Sequence, residues 1–107
     1  GLNGFEYDTA LRFDLPIVGI VGVDGLWGQI ARPQAAVYGA NQIIATKLNF
    51  TRYDKIVEAM GGHGEYCEKP EEIGPALERA FASGKAALVN VVMRQDIDTG
   101  MKGSTYA

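Results

Sequence analysis

The chain has almost no cysteine: Cys67 is the only one in 107 residues. A lone thiol cannot close an internal disulfide and has no second cysteine with which to build a metal cluster. Cys67 is therefore expected to be a reduced, packed thiol. Histidine is equally scarce, and His63 stands close to Cys67 in "GGHGEYC", a spacing that does not itself make a catalytic pair. Basic runs are absent too. The 10 Lys and Arg stand against 13 Asp and Glu, for a net charge of -3, which leaves no footprint for nucleic acid or an anionic membrane. No apolar run approaches the roughly 20 residues of a membrane span, and no signal-peptide pattern opens the chain. The expectation is a cytoplasmic protein. There is no internal repeat and no low-complexity linker. What is present is 47% hydrophobic and 21% charged, an ordinary globular composition at a length that suits one domain.

Read along the chain, "GFEYDTALRF" (4–13) suits a helix, with Leu2, Phe5, Thr9 and Phe13 near one face. "PIVGIVG" (16–22) is continuously apolar and β-branched, as in a strand covered on both faces of a parallel sheet. Gly25 to Gly28 form a turn, and the segment on to Tyr38 has helical character that Pro33 is expected to interrupt. "FTRYDKIVEAMGG" is the clearest helix. Thr51 can cap it, with Asp54 completing a capping box. Tyr53, Ile56, Val57 and Met60 make its apolar stripe, and Gly61 and Gly62 stop it. "GEYCE" reads as a short strand. "KPEEIGPALERAFASGK" is a further helix, with Pro70, Glu71 and Glu72 in its first turn and Gly84 at its end. Ile73, Ala76, Leu77, Ala80 and Phe81 line one face, and Pro75 marks a kink or a delayed start. "AALVNVVM" (86–93) is another apolar strand, after which the pattern fades. Alternation of this kind implies an α/β fold: a partial parallel sheet with helices on both faces.

The stretch "IVGIVGVDGLWGQI" (17–30) raises the functional question. Asp24 lies just past the carboxyl end of a strand, where open α/β sheets bind ligands. A carboxylate and nearby backbone carbonyls are hard donors that suit Mg2+ or Ca2+. Gly25 and Gly28 would let the backbone turn sharply and approach a ligand. On spacing alone, a plain Asp-Gly turn is the simpler reading.

The wider sequence adds to this. From "GLNGFEYDTALRFDLPIVGIVGVDGLWGQI" through "FTRYDKIVEAMGGHGEYCEKPEEIGPALERAFASGKAALVNVVM", the chain resembles the C-terminal, diphosphate-binding domain of thiamine-diphosphate enzymes. Within that family it is most similar to the acetolactate synthase-like group, alongside benzaldehyde lyase and oxalyl-CoA decarboxylase. The resemblance implies a thiamine-diphosphate-binding domain over residues 1–95, truncated on its N-terminal side and lacking upstream strands, with 96–107 a loose tail. It implies thiamine diphosphate and Mg2+ as cofactors. Asp24 falls where the family's second metal-ligand side chain sits, and the Leu26 carbonyl is the implied backbone ligand. Gly25, Leu26, Trp27, Gly28, Gln29 and Ile30 would lie along the cofactor, Trp27 either as a wall beside it or as a packed anchor.

Two departures stand out. Val23 replaces the family's usual Asn, and the family's Gly-Asp-Gly, which opens its motif, does not occur. The glutamate that helps ionise the thiazolium belongs to a separate pyrimidine-binding domain. Glu6, Glu58, Glu65 and Glu68 are read as solvated surface charges, and no residue here is assigned a catalytic role. The same holds for His63, read as a loop histidine without a carboxylate partner. Arg52 and Lys55 are read as helix charges pairing with neighbours, and Asn90 as a structural residue that must find hydrogen-bond partners. "ARPQ" (31–34) is read as part of a flexible segment near the active site. The implied function is part of an enzyme acting on 2-oxo acids, by acetolactate synthase-like carboligation. A decarboxylase or 2-hydroxyacyl-CoA lyase of the same family is the near alternative, and a non-catalytic partner-binding module the distant one. The implied partners are the pyrimidine-binding domain, a small 2-oxo acid and further copies of the chain. With a sheet edge uncovered, the isolated chain is expected to self-associate.

Overall fold

The computed structural model describes residues 3–97. The elements run α1 (Glu6–Arg12), β1 (Val18–Val23), α2 (Gly28–Tyr38), a 3-10 turn (Ala40–Gln42), α3 (Tyr53–Ala59), β2 (His63–Cys67), a second 3-10 turn (Pro70–Glu72), α4 (Ile73–Ala82) and β3 (Ala87–Val92). They divide into two compact units, one from the residues up to 23 together with 51–93, the other from 24–50 together with the residues from 94. Among the described residues no helix is long and apolar enough to cross a membrane.

The first unit is built on a three-stranded sheet in the order β1-β3-β2. All pairs are parallel, with Ala87 of β3 opposite both Val18 and His63. Parallel neighbours need a crossover between them, which is why helices alternate with strands here. Successive β3 side chains point to opposite faces. On one face Ala87 and Val89 pack with Cys67 of β2 and with Ala76 and Ala80 of α4, flanked by Ile73, Leu77 and Val91. On the other face the Tyr53 N–H of α3 donates to Asn90 Oδ1 at 3.1 Å. The Tyr7 hydroxyl of α1 lies against Gly19 and Leu88 and donates to the Ala87 carbonyl at 3.1 Å. Helices thus cover both faces of a parallel sheet, the α/β arrangement the sequence pattern implies.

Local chemistry sets the helix ends. Gly61 has φ +100 and closes α3 in a Schellman motif: its N–H donates to the Glu58 carbonyl, and that of Gly62 to the Val57 carbonyl. Pro75 is the third residue of α4, within the first turn where an N–H has no intrahelical acceptor. It therefore marks a delayed start, preceded by the Pro70–Glu72 turn.

Several expectations are corrected. Phe5 is 80% exposed and Phe13 also lies open, so α1 does not pack through a Phe5–Thr9–Phe13 face. It packs through Ala10, which is buried, and through Tyr7, while Arg12 stacks over Phe13; Leu2 lies outside the described residues. Phe81 likewise points outward from α4, because the close packing of Ala76 and Ala80 leaves no room for a bulky ring. β1 is not covered on both faces among the described residues, since Ile20 is 59% exposed. Thr51 does not cap α3, which has no side-chain cap. Its first N–H is taken by Asn90, and Asp54 turns instead to Arg52. Pro33 does not break α2, which runs through it. His63 opens β2 rather than a loop, and its Nε2 lies 3.4 Å from Glu65 Oε1, two residues along the same strand face. Glu65 is itself not a free surface charge, since Arg79 binds it. Lys55 pairs with Glu58 as expected, and Cys67 is a buried free thiol, its pKa pushed up by burial. The tail beyond 97 lies outside the described residues.

The most consequential ion pair joins Asp54, which is buried, to the Arg52 guanidinium by two hydrogen bonds of 2.9 and 2.7 Å. Arg52 also stacks over the Tyr66 ring at 3.7 Å. Burial alone would raise the Asp54 carboxyl, but the Arg52 contacts outweigh it and hold the pKa below the ordinary value. A carboxylate depressed on folding adds stability above its unfolded pKa of about 3.9, and loses it as pH falls through the folded value. Asp54→Asn should therefore lower stability by roughly 2 kcal/mol at pH 7. Urea melts at stepped pH should show this deficit shrinking below about pH 4; a deficit independent of pH would refute the assignment.

Candidate functional site

The second unit carries every residue singled out in "DGLWGQI", and its first residue directly follows the last of β1. Asp24 Oδ1 accepts the Leu26 N–H at 2.9 Å, a side-chain-closed turn. Gly25 between them has φ +66, where a side chain is strained. The space is closed as well, because a Cβ on Gly25 would stand 2.9 Å from the Phe50 ring, 3.1 Å from the Leu48 carbonyl oxygen and 3.2 Å from Gln95 Nε2. The Asp-Gly pair therefore answers a backbone requirement, and glycine is the one residue that meets it.

Past the turn, Leu26 pairs antiparallel with Lys47. The flanking bonds run from the Trp27 N–H to the Thr46 carbonyl (2.9 Å) and from the Leu48 N–H to the Gly25 carbonyl (2.7 Å). In such a pair the polar groups of Leu26 itself face away from the partner segment. Its N–H meets the Asp24 carboxylate, and its carbonyl takes none of the hydrogen bonds found among the described residues. The Gln34 side chain steadies the returning segment. It bonds the N–H and carbonyl of Ile44 at 3.2 and 3.3 Å and the Thr46 hydroxyl at 3.2 Å.

Helix α2 begins at Gly28 with no side-chain cap and no acidic residue in its first turn. The N–H groups of Gly28 and Gln29 have no acceptor among the described residues. A helix start of this kind favours an anion. Gly28 also leaves room for the Arg32 guanidinium, because a Cβ there would stand 2.8 Å from Arg32 Nη1.

Gly25 and Leu26 are buried, Asp24 and Gly28 half-buried, and Gln29 and Ile30 exposed. Trp27 is 62% exposed, so within this chain it does not act as a packed anchor. Val23 is buried, and its carbonyl accepts the Met93 N–H at 2.8 Å; the turn is closed without an Asn at that position. An open hollow lined by Gln34, Tyr38, Gln42 and Ile44 shares no residue with the expected site.

The donor set fits part of a divalent-cation site: one carboxylate and one uncommitted carbonyl, both hard oxygen. Among the described residues no three or more His, Cys, Asp or Glu side chains gather to complete it. Sequence reasoning missed Gln34 and Gln95. Their roles come from contacts to backbone groups distant in the sequence, which no periodicity signals.

Residues 1–91 match the family model described as thiamine pyrophosphate enzyme, C-terminal TPP binding domain. A probable acetolactate synthase of Mycobacterium bovis is 47% identical over 92 residues, covering 86% of this chain and 17% of that protein. A 2-hydroxyacyl-CoA lyase 2 of Caenorhabditis elegans is 38% identical over 99 residues, covering 87% and 15%. A sulfoacetaldehyde acetyltransferase of Alcaligenes xylosoxydans xylosoxydans is 27% identical over 101 residues, covering 91% and 17%. The chain thus spans about a sixth of the length of the curated relatives it matches. With a parallel α/β sheet and a family match over nearly all its described residues, the chain belongs to the thiamine pyrophosphate enzymes, as their C-terminal TPP binding domain.

Proposed function

We propose that the chain supplies the diphosphate-binding half of the active site of a cytoplasmic, thiamine-diphosphate- and Mg2+-dependent enzyme. That enzyme takes an acyl unit from a 2-oxo acid and joins it to a second carbonyl compound, as an acetolactate synthase does. The observation that carries the reading is the Asp24–Leu26 turn, where a fixed carboxylate and an uncommitted carbonyl stand two residues apart just before an uncapped helix start.

The chain's own residues divide the work. The Asp24 carboxylate and the Leu26 carbonyl hold Mg2+, and the Leu26 N–H keeps the carboxylate in place. The N–H groups of Gly28 and Gln29 receive the diphosphate at the positive end of α2, with no side chain in the way at Gly25 or Gly28. Trp27 and Ile30, both exposed, offer apolar surface to the rest of the cofactor. When bound, thiamine diphosphate supplies the electron sink for carbanion chemistry. The glutamate that promotes its ionisation comes from a pyrimidine-binding domain on the same or another polypeptide. Three of the chain's glutamates are engaged otherwise: Glu58 pairs with Lys55, Glu65 with Arg79, and Glu6 accepts the Thr9 hydroxyl.

The higher identity to the acetolactate synthase supports carboligation over the lyase reaction. Large apolar side chains left exposed, Trp27, Val37 and Tyr38 in the second unit and Phe5, Phe13 and Ile20 in the first, support further partners, a second copy of the chain among them.

Three measurements test this reading. In the complete protein, Asp24→Ala should weaken Mg2+-dependent binding of thiamine diphosphate by about 100-fold in calorimetric titration. Asp24→Asn, which keeps an oxygen donor and the turn, should retain most of it; unchanged binding in Asp24→Ala would sink the metal assignment. Given a 2-oxo acid, the complete protein should release acetolactate or a homologue. Turnover of a 2-hydroxyacyl-CoA thioester instead would move it to the lyases. The isolated chain should self-associate in light scattering, and a monodisperse monomer at high concentration would count against the proposed partner surfaces.

A further inference from the structure

We propose that Gln95 is a positioning residue for the Asp24–Leu26 turn and thereby sets the geometry of its two metal-binding oxygens; this rests on the metal site proposed above. Gln95 lies just past the end of β3, far from Asp24 in sequence. Its Nε2 donates to the Asp24 carbonyl at 3.3 Å and to the Gly25 carbonyl at 3.2 Å. A primary amide nitrogen has two hydrogens, and here it serves consecutive carbonyls of one turn.

The effect on the turn follows from which atoms are already held. The Gly25 carbonyl also accepts the Leu48 N–H at 2.7 Å, and the Leu26 N–H is tied to Asp24 Oδ1 at 2.9 Å. That fixes the peptide between Gly25 and Leu26. The peptide between Asp24 and Gly25 has only the Gln95 amide on its carbonyl among the described residues. Without Gln95 this plane can rock about the glycine, whose lack of a side chain makes it the softest joint in the turn. Rocking it moves the Asp24 side chain relative to the Leu26 carbonyl, and these are the two oxygens that must meet one ion.

Metals differ in how far they tolerate such movement. Mg2+ demands near-ideal octahedral geometry at short distances, whereas Ca2+ accepts longer and more variable ones. Loss of a positioning bond should therefore cost Mg2+ more than Ca2+. A merely structural role would lower stability and weaken both ions alike.

The test uses the complete protein with Gln95→Met, which keeps side-chain bulk and removes both donors, beside Gln95→Ala and Asp24→Ala. Calorimetric titration of thiamine diphosphate at stepped Mg2+, then at stepped Ca2+, gives the ion concentration for half-maximal cofactor binding. Urea melts report stability. Both Gln95 variants should raise the Mg2+ requirement about tenfold, raise the Ca2+ requirement clearly less, and leave the urea midpoint in place. An unchanged Mg2+ requirement in both, while Asp24→Ala abolishes the response, would overturn the role of Gln95 and leave the metal site standing. No response to Asp24→Ala would overturn the site and this inference with it. An equal loss for both ions with a lowered urea midpoint would show a structural residue and overturn the positioning role.

Discussion

The parallel pairing of β3 with both neighbours is the constraint on which the first unit depends. A central strand must satisfy its backbone on two sides and bury its side chains on two faces. β3 does so with apolar residues, Ala87, Leu88 and three valines, over most of Ala87–Val92. The one polar exception is Asn90, buried to 1% exposure, whose Oδ1 takes the first N–H of α3. An apolar residue there would leave that N–H unpaired beneath the helix, at the cost of desolvating a donor without a partner. Asn90 is thus the polar link between a hydrophobic strand and the start of a helix that lacks a cap of its own.

The pairing also decides where the chain leaves the sheet. Val23 lies opposite Val92, and the Met93 N–H donates to the Val23 carbonyl as the last rung of the ladder. The chain reaches Asp24 one residue beyond Val23 and Gln95 two residues beyond Met93. Within the second unit, the Gln95 amide donates to the Asp24 and Gly25 carbonyls and ties the turn to the segment that holds Gln95. A turn tied down by backbone and amide contacts can hold a carboxylate still, and an oxygen held still is what a small, strict cation needs.

Part of this was legible in the sequence, and the reasons differ by feature. β1 and β3 were legible because their runs are continuously apolar and need no partner pattern to be recognised. The stop at Gly61 and the delayed start around Pro75 were legible because glycine and proline act through their own covalent structure. Helix faces were less so. On α4 the expected face is right at Ile73, Ala76, Leu77 and Ala80 and wrong only at Phe81, whereas on α1 Phe5 and Phe13 satisfy helical spacing yet lie exposed while Ala10 is buried. Where a helix packs closely on a sheet, small residues fill the contact, and hydrophobicity alone points to the wrong face. Caps also escaped, because Asn90 reaches Tyr53 across 37 positions and not from the preceding turn. In the candidate site, Asp24 and Gly25 were legible as a turn and, through family resemblance, as a ligand position. Gln34 and Gln95 were not, because an isolated glutamine carries no signal until the fold brings a backbone carbonyl to it.

The division of the turn into backbone and side chain bears on how one domain can serve different reactions. Relatives that match this chain over most of its length carry the names of a synthase, a lyase and an acetyltransferase. In the proposed site, the contacts to metal and diphosphate come from the Asp24 carboxylate and from main-chain groups of Leu26, Gly28 and Gln29. Main-chain donors and acceptors are indifferent to the side chains attached to them, so that part of the site can stay fixed while its sequence drifts. The side chains of Trp27, Gln29 and Ile30 are exposed and take no part in holding the turn. They are free to change without loosening the turn. Gly25 has no such freedom, because its left-handed φ and the Phe50, Leu48 and Gln95 atoms around it exclude any side chain. On physical grounds the turn should therefore tolerate variation at its exposed positions and none at Gly25, where a left-handed φ and closed surroundings coincide.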